Sequence, residues 1–205
     1  MLHDILWRSN LELVQSCLAH PFAQALGDGT LKSDLFRAFI AQDAFFLRAF
    51  LKAYALALAR SDDTETIAGF YELIGGVLEE IKLHRGYAAE LGIDLQRVVP
   101  NPACRAYTDF LLRIAWHTSL GETVAAMTPC MRLYAYLGRE LVLKCSQPHP
   151  YRRWIEAYSS EAFGRLAEQM EALLDRIGTD TREVRNCYRY ALQCELDFFS
   201  DAVGS

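Results

Sequence analysis

Apolar residues recur three and four positions apart along almost the whole chain, whereas strict apolar–polar alternation is scarce. A chain patterned this way must bury helix faces rather than sheet faces. The expected fold is therefore all-α, a single-domain helical bundle of about seven or eight helices around one core. The spacing predicts helices over residues 3–20, 33–60, 64–91, 102–118, 121–145, 150–158, 160–177 and 180–202. Ser33, Asp63, Asn101 and Thr179 are the expected N-caps, and Gly92 and Gly178 the expected stops. Pro102, directly after Asn101, suits a first helical position. Pro21 is read as leading into a turn at Gly27-Asp28-Gly29, and Pro148 and Pro150 as breaking the chain before Tyr151. Pro129 is the exception, because it falls inside a long periodic segment. Lacking an N–H and crowding the preceding turn, it should kink the helix there. No repeat, low-complexity tract or linker divides residues 1–205.

Composition narrows the function classes. With 205 residues and 52% apolar side chains the chain can bury a sizeable core. The net charge is −5 and Lys and Arg form no block, so no nucleic-acid partner is expected. The longest stretch free of charged residues, 13–27, is shorter than the ~20 apolar residues of a spanning helix, so no membrane partner is expected either. The opening residues do not read as a signal peptide. Six cysteines without a C-x-x-C pair point to a reducing, cytoplasmic setting with no disulfide framework.

Two apolar seams are interrupted by an acid. Helix 33–60 carries Phe36, Ile40, Asp43, Leu47, Phe50 and Tyr54 on one face, and helix 180–202 carries Val184, Tyr188, Ala191, Glu195, Phe198 and Ala202. A carboxylate facing a core is costly unless it is paired or lines a cavity. Either each acid finds an arginine or a backbone donor inside the bundle, or the helices enclose an aromatic pocket with a few polar groups aimed inward. In such a pocket a desolvated glutamate would move protons near neutrality.

A third seam, Met127, Cys130, Tyr134, Leu137 and Leu141, carries a thiol and a phenol. Cys130 directly follows Pro129, and a kink would turn it toward a cavity. Free cysteine is also commonly an inert core residue, and the local sequence leaves both readings open. The other five cysteines are read as packing. Glu80 and His84 are four apart and could share a helix face as metal ligands. The last two helices contain no histidine to complete a di-metal site, so a solvated Glu80–His84 pair is expected. G-x-S-x-G, P-loop and G-x-G-x-x-G motifs are absent.

Several segments together resemble one family. They are HPF at 20–22, FIAQDAFFL at 39–47, ELIGGVLEEIKLHRGY at 72–87, AYTDFLL at 106–112, MTPCMRLYAYLG at 127–138, YRRWIEAYSSEAF at 151–163 and ELDFF at 195–199. In order and spacing they resemble the cysteine-containing branch of the TenA family, also called thiaminase II or aminopyrimidine aminohydrolase, which has a haem-oxygenase-like fold. The most specific segment is Pro-Cys followed by Tyr134 and Gly138.

The resemblance implies a hydrolase of thiamin salvage that needs no cofactor or metal. Its small-molecule partner would be an aminopyrimidine or thiamin. It would release 4-amino-5-hydroxymethyl-2-methylpyrimidine, with ammonia or the thiazole as leaving group. By position Cys130 would be the nucleophile and Glu195 the general acid/base. Asp43 would orient the amidine-like edge of the pyrimidine. Tyr107, Tyr134 and Tyr158 would line and stack on the ring, and Phe198 would close the apolar wall. Many members carry tyrosine where this chain has Phe46, which puts rate and substrate preference in question more than reaction class. Two other classes stay open: a pyrimidine-binding or regulatory protein without turnover, and a metal-dependent oxygenase of the same fold using Glu80 and His84. The resemblance also implies a homotetramer, for which Trp154 would offer an exposed aromatic contact.

Overall fold

The structure, a computed structural model, describes residues 1–146 and 148–203. They form α1 (Leu2–Ser9), α2 (Leu11–Ala19), α3 (Pro21–Asp28), α4 (Ser33–Ala59), α5 (Thr64–Glu90), α6 (Pro102–His117), α7 (Leu120–Val142), α8 (Arg152–Ser159), α9 (Glu161–Ile177) and α10 (Arg182–Val203). Among the described residues there is no strand, and no helix is long and apolar enough to cross a membrane.

At α4 the expected cap Ser33 is instead the first helical residue, after Lys32, with no side-chain cap bond. Other start signals work through their side chains. Asp63 accepts from the Thr66 N–H, Asn101 from the Cys104 N–H, and Ser119 forms a reciprocal capping box with Glu122. Thr181, rather than Thr179, accepts from Val184 N–H at the start of α10. α7 continues through Pro129 as one helix, with that residue buried.

The segment expected as a single helix over 3–20 divides at Asn10. Its side-chain amide donates to Leu6 O at 2.8 Å and its carbonyl accepts from Arg189 at 3.1 Å. A buried Asn that bonds the chain in this way competes with the helix ladder and ends α1. The Pro21 segment, expected as the approach to a turn, is itself a helix. His20 Nδ1 accepts from Phe22 N–H, Pro21 takes the first position, and Gly29 closes α3 at φ +81°. A histidine cap is not a standard start signal, which is why the sequence hides this helix. The described residues thus hold ten helices, with the all-α class unchanged.

α7 lies at the centre and packs against α10, α9 and α8, while α4 packs on α5 and α6. All six residues of the α4 seam are buried, as are all six of the α10 seam, acids included. Trp154 is not an exposed contact: it is 1% exposed, with its ring against Phe39, Tyr134 and Tyr158. Its helix, α8, seats so close to α7 that a Cβ on Gly138 would lie 2.5 Å from the Tyr158 carbonyl carbon. That approach places Tyr158 over the centre of the bundle.

Candidate active site

α4, α5, α7, α8 and the start of α9 surround a narrow cavity, little of it wide enough for water. Asp43, Phe46, Glu80, Cys130, Tyr134 and Tyr158 line it, with Leu47, Phe50, Met131 and Phe163. Glu195 and Tyr107 stand behind Cys130. Glu195 acts on the charge of the thiol, and the Tyr107 hydroxyl donates to Glu195 Oε1 at 2.8 Å. Phe198 does not face the cavity. It backs Phe46, edge-on at 6.2 Å between ring centres. Five of the eight expected site residues therefore line the cavity, Glu195 acts on the thiol from behind, and Tyr107 and Phe198 back Glu195 and Phe46.

The acids do not find the arginine that would have made them structural. Asp43 Oδ2 meets His84 Nε2 at 2.7 Å, with the histidine 1% exposed. His84 Nδ1 faces the Glu80 backbone carbonyl at 3.0 Å, and a carbonyl only accepts, so Nδ1 carries a hydrogen. With Nε2 directed at a carboxylate, the ring is held as an imidazolium. Burial opposes that charge, but Asp43 and Glu80 overcome it and raise His84 to about 9.

The expected solvated Glu80–His84 pair is thus corrected. The two side chains part, because His84 bonds the backbone of Glu80 while the Glu80 carboxylate accepts from the Tyr158 hydroxyl at 2.5 Å. Both ring nitrogens of His84 are spent, which removes it as a metal ligand in this arrangement. Among the described residues no group of three or more His, Cys, Asp or Glu is set to hold a metal ion. The sequence pattern singled out Glu80 and His84 only as a metal-ligand or solvated pair, not as residues of this site. The signal was present in the i, i+4 spacing, but the partner that defines it lies 41 positions away on α4.

The cavity is dry, and its acids respond accordingly. Burial pushes Glu195 up to about 8, against the hydrogen bonds from Tyr107 and Cys130 that favour its charge. Burial pushes Glu80 up to about 7, against the pull of His84 and Tyr158. The Cys130 thiol is raised well above the ordinary range by burial and then by Glu195, Glu80 and Asp43. It therefore rests as a thiol and must hand its proton to a neighbour before it can attack. Tyr107, Tyr134 and Tyr158 stay neutral phenols, raised first by burial.

A thiol–carboxylate pair set in a dry, aromatic pocket of a helical bundle is the geometry of a small-molecule site. The bundle is of the haem-oxygenase-like kind: a domain described by that fold from Shewanella denitrificans superposes with TM-score 0.76 at 15% identity, over 98% of this chain and 91% of its own. The TENA/THI-4/PQQC family model matches residues 7–203, and the chain belongs to that family. An aminopyrimidine aminohydrolase of Halalkalibacterium halodurans is 35% identical over 76% of this chain and 72% of its own length. One from Bacillus subtilis is 32% identical over 83% of this chain and 75% of its own. The bifunctional TH2 protein of Arabidopsis thaliana is 37% identical over 87% of this chain, which spans only 33% of that longer protein. A TenA homologue from Pyrococcus furiosus has the same fold, with TM-score 0.92 at 23% identity over 98% of this chain and 100% of its own.

Proposed function

We propose that this protein is an aminopyrimidine aminohydrolase of thiamin salvage. It releases the hydroxymethyl pyrimidine from its aminomethyl precursor, from thiamin, or from both. The observation that carries the reading is the Cys130 thiol, acted on by Glu195 from behind, in a cavity that Asp43 also lines. The relatives named aminopyrimidine aminohydrolase support it.

In this reading Glu195 takes the thiol proton of Cys130 and passes it to ring N1 as sulfur bonds to C6. Asp43, fixed by His84, accepts from the exocyclic amine and sets which edge of the ring faces the thiol. Tyr134 and Tyr158 hold the ring flat, and Tyr107 holds Glu195. Electron density returned from the reduced ring then expels the group on the methylene carbon, water replaces it, and Cys130 leaves. Because Glu195 must be ionised to accept the thiol proton, the limb of the kcat/KM profile that Glu195 sets rises with pH toward about 8.

We also propose that the whole chain works as one domain, in the cytoplasm, as a homotetramer. The six free cysteines support a reducing compartment. For assembly, the support is an open groove on α6 and α10 edged by Phe110 and Tyr190, with Trp116 65% exposed nearby on α6. Sedimentation of the purified protein tests that state.

The decisive test follows product release from both substrates by wild type, Cys130→Ser and Phe46→Tyr. The wild type is expected to turn over at least one substrate and Cys130→Ser neither. A hydroxyl restored at Phe46, whose ring is 4.8 Å from that of Tyr107, is expected to raise the rate and shift the preference between the two. Full turnover by Cys130→Ser would overturn the mechanism. Tight product binding without turnover by wild type would select a non-hydrolytic pyrimidine-binding protein, the reading that Phe46 favours.

A further inference from the structure

We propose that Glu80 is a second catalytic acid–base, acting at the methylene carbon: it protonates the departing nitrogen and then deprotonates the water that takes its place. This rests on the reading of the site given above, in which Glu195 serves the ring and nothing yet serves the methylene.

Glu80, from α5, and Glu195, from α10, both act on Cys130, and both feel the charge of Asp43. In a 4-aminopyrimidine that carries its leaving group through a methylene at C5, the attacked carbon C6 lies between N1 and C5. The amino group, on C4, lies on the other side of C5. With the thiol at C6, Glu195 at N1 and Asp43 at the amino group, the methylene projects between Asp43 and Cys130, away from Glu195. The remaining acid lining the cavity is Glu80.

A second observation concerns the way out. Glu80, Tyr158 and Phe163 line the cavity and also line an open, largely apolar groove with Leu83, Ala157 and Leu166. The leaving group on the methylene therefore meets Glu80 and then the groove. Its walls suit a substituted or heterocyclic amine as well as ammonia, so the substrate class is an aminomethylpyrimidine whose nitrogen can carry apolar substituents.

The protons balance. When the methylene–nitrogen bond breaks, its electron pair leaves with nitrogen, and the ring supplies the pair of a new exocyclic double bond. Where the leaving group is an amine, protonated Glu80 gives the nitrogen its proton; a thiazolium leaves as neutral thiazole without one, and Glu80 then starts ionised and serves only as base. Water oxygen then bonds to the methylene carbon and yields its proton to Glu80, while the double-bond pair returns to the ring. Glu195 takes the proton from N1, and the sulfur–carbon bond breaks with its pair on Cys130.

Glu80 can hold and release that proton near neutrality. Burial raises it to about 7, His84 and the Tyr158 hydroxyl oppose, and Asp43 adds to the rise. Cys130 and Tyr134 from α7, and Tyr54 from α4, also feel its charge.

The test is Glu80→Gln, which keeps an acceptor for Tyr158, measured beside wild type and Cys130→Ser. Expected is a kcat roughly a hundred to a thousandfold lower, KM within about threefold, and loss of the pH dependence near 7. In Glu80→Ala, added formate, a small carboxylic acid that can both give and take the proton, is expected to restore turnover. Wild-type kcat and pH profile in Glu80→Gln, or a loss in Glu80→Ala that formate does not restore, overturns the assignment. Inactivity of the wild type itself, or an active Cys130→Ser, instead brings down the reading of the site on which it rests.

Discussion

Replacing Glu195 by Gln is expected to make the protein more stable, and increasingly so as pH rises. The carboxyl ionises near 4.5 in an unfolded chain and near 8 when buried in the folded one. The folded protein therefore keeps a proton that the unfolded chain releases. The stability linked to that proton is complete below about 4.5 and drains away as pH climbs through 8. At 1.36 kcal/mol per pH unit, the disadvantage of the acid against a neutral side chain is roughly 2 kcal/mol at pH 6 and roughly 5 kcal/mol at pH 9. The amide alters the hydrogen bonds to Tyr107 and Cys130, but that offset hardly changes with pH. The titrations of His84 and Glu80 occur in both proteins and cancel in the difference. The quantity to measure is thus the growth of the gap, about 3 kcal/mol. In a domain of this size that is about 6–12 °C in the difference between melting temperatures. Thermal melts of both proteins at pH 6 and pH 9 measure it directly. A gap that stays constant with pH would mean that Glu195 is already ionised in the resting fold at pH 6, which would refute the desolvation argument.

Gly138→Ala would drive a methyl into the backbone of α8, 2.5 Å from the Tyr158 carbonyl carbon. Backbone cannot rotate aside, so a destabilisation of about 3 kcal/mol is expected, visible in urea melts, with a larger loss of activity because Tyr158 moves with α8. His84→Ala leaves Asp43 buried without its partner and is expected to remove about 3–5 kcal/mol of stability. His84 is raised to about 9 from an ordinary 6.5, so its contribution is complete below 6.5 and is lost as pH rises through 9. The deficit of the variant, followed by denaturant titration across that window, should narrow toward the alkaline end.

Much of the site was written in one-dimensional pattern. A period near 3.6 fixes which residues share a helix face, so spacing alone marks a lone Asp43 or Glu195 on an apolar seam as a buried acid. Motif order then joined Cys130 to those acids. The pattern had less to offer where the deciding contact is non-local. Glu80 and His84 read as an ordinary i, i+4 pair because helix spacing says who shares a face, not what covers that face. Trp154 read as an exposed aromatic because α8 is short and its packing against α7 depends on Gly138, in another segment. Asn10 and His20 end and begin helices through bonds made by their own side chains, and Asn10 is fixed by Arg189 at the far end of the chain.

By itself, then, the sequence determined the helical class, the buried seams and the acids and thiol embedded in them, since these follow from local periodicity and side-chain chemistry. Only the tertiary structure decided that Asp43 is paired with an imidazolium, that Glu195 lies against Cys130, and that Glu80 faces inward beside Tyr158. Desolvation and hydrogen bonding set the charge state of each group, and both depend on which helices close over it.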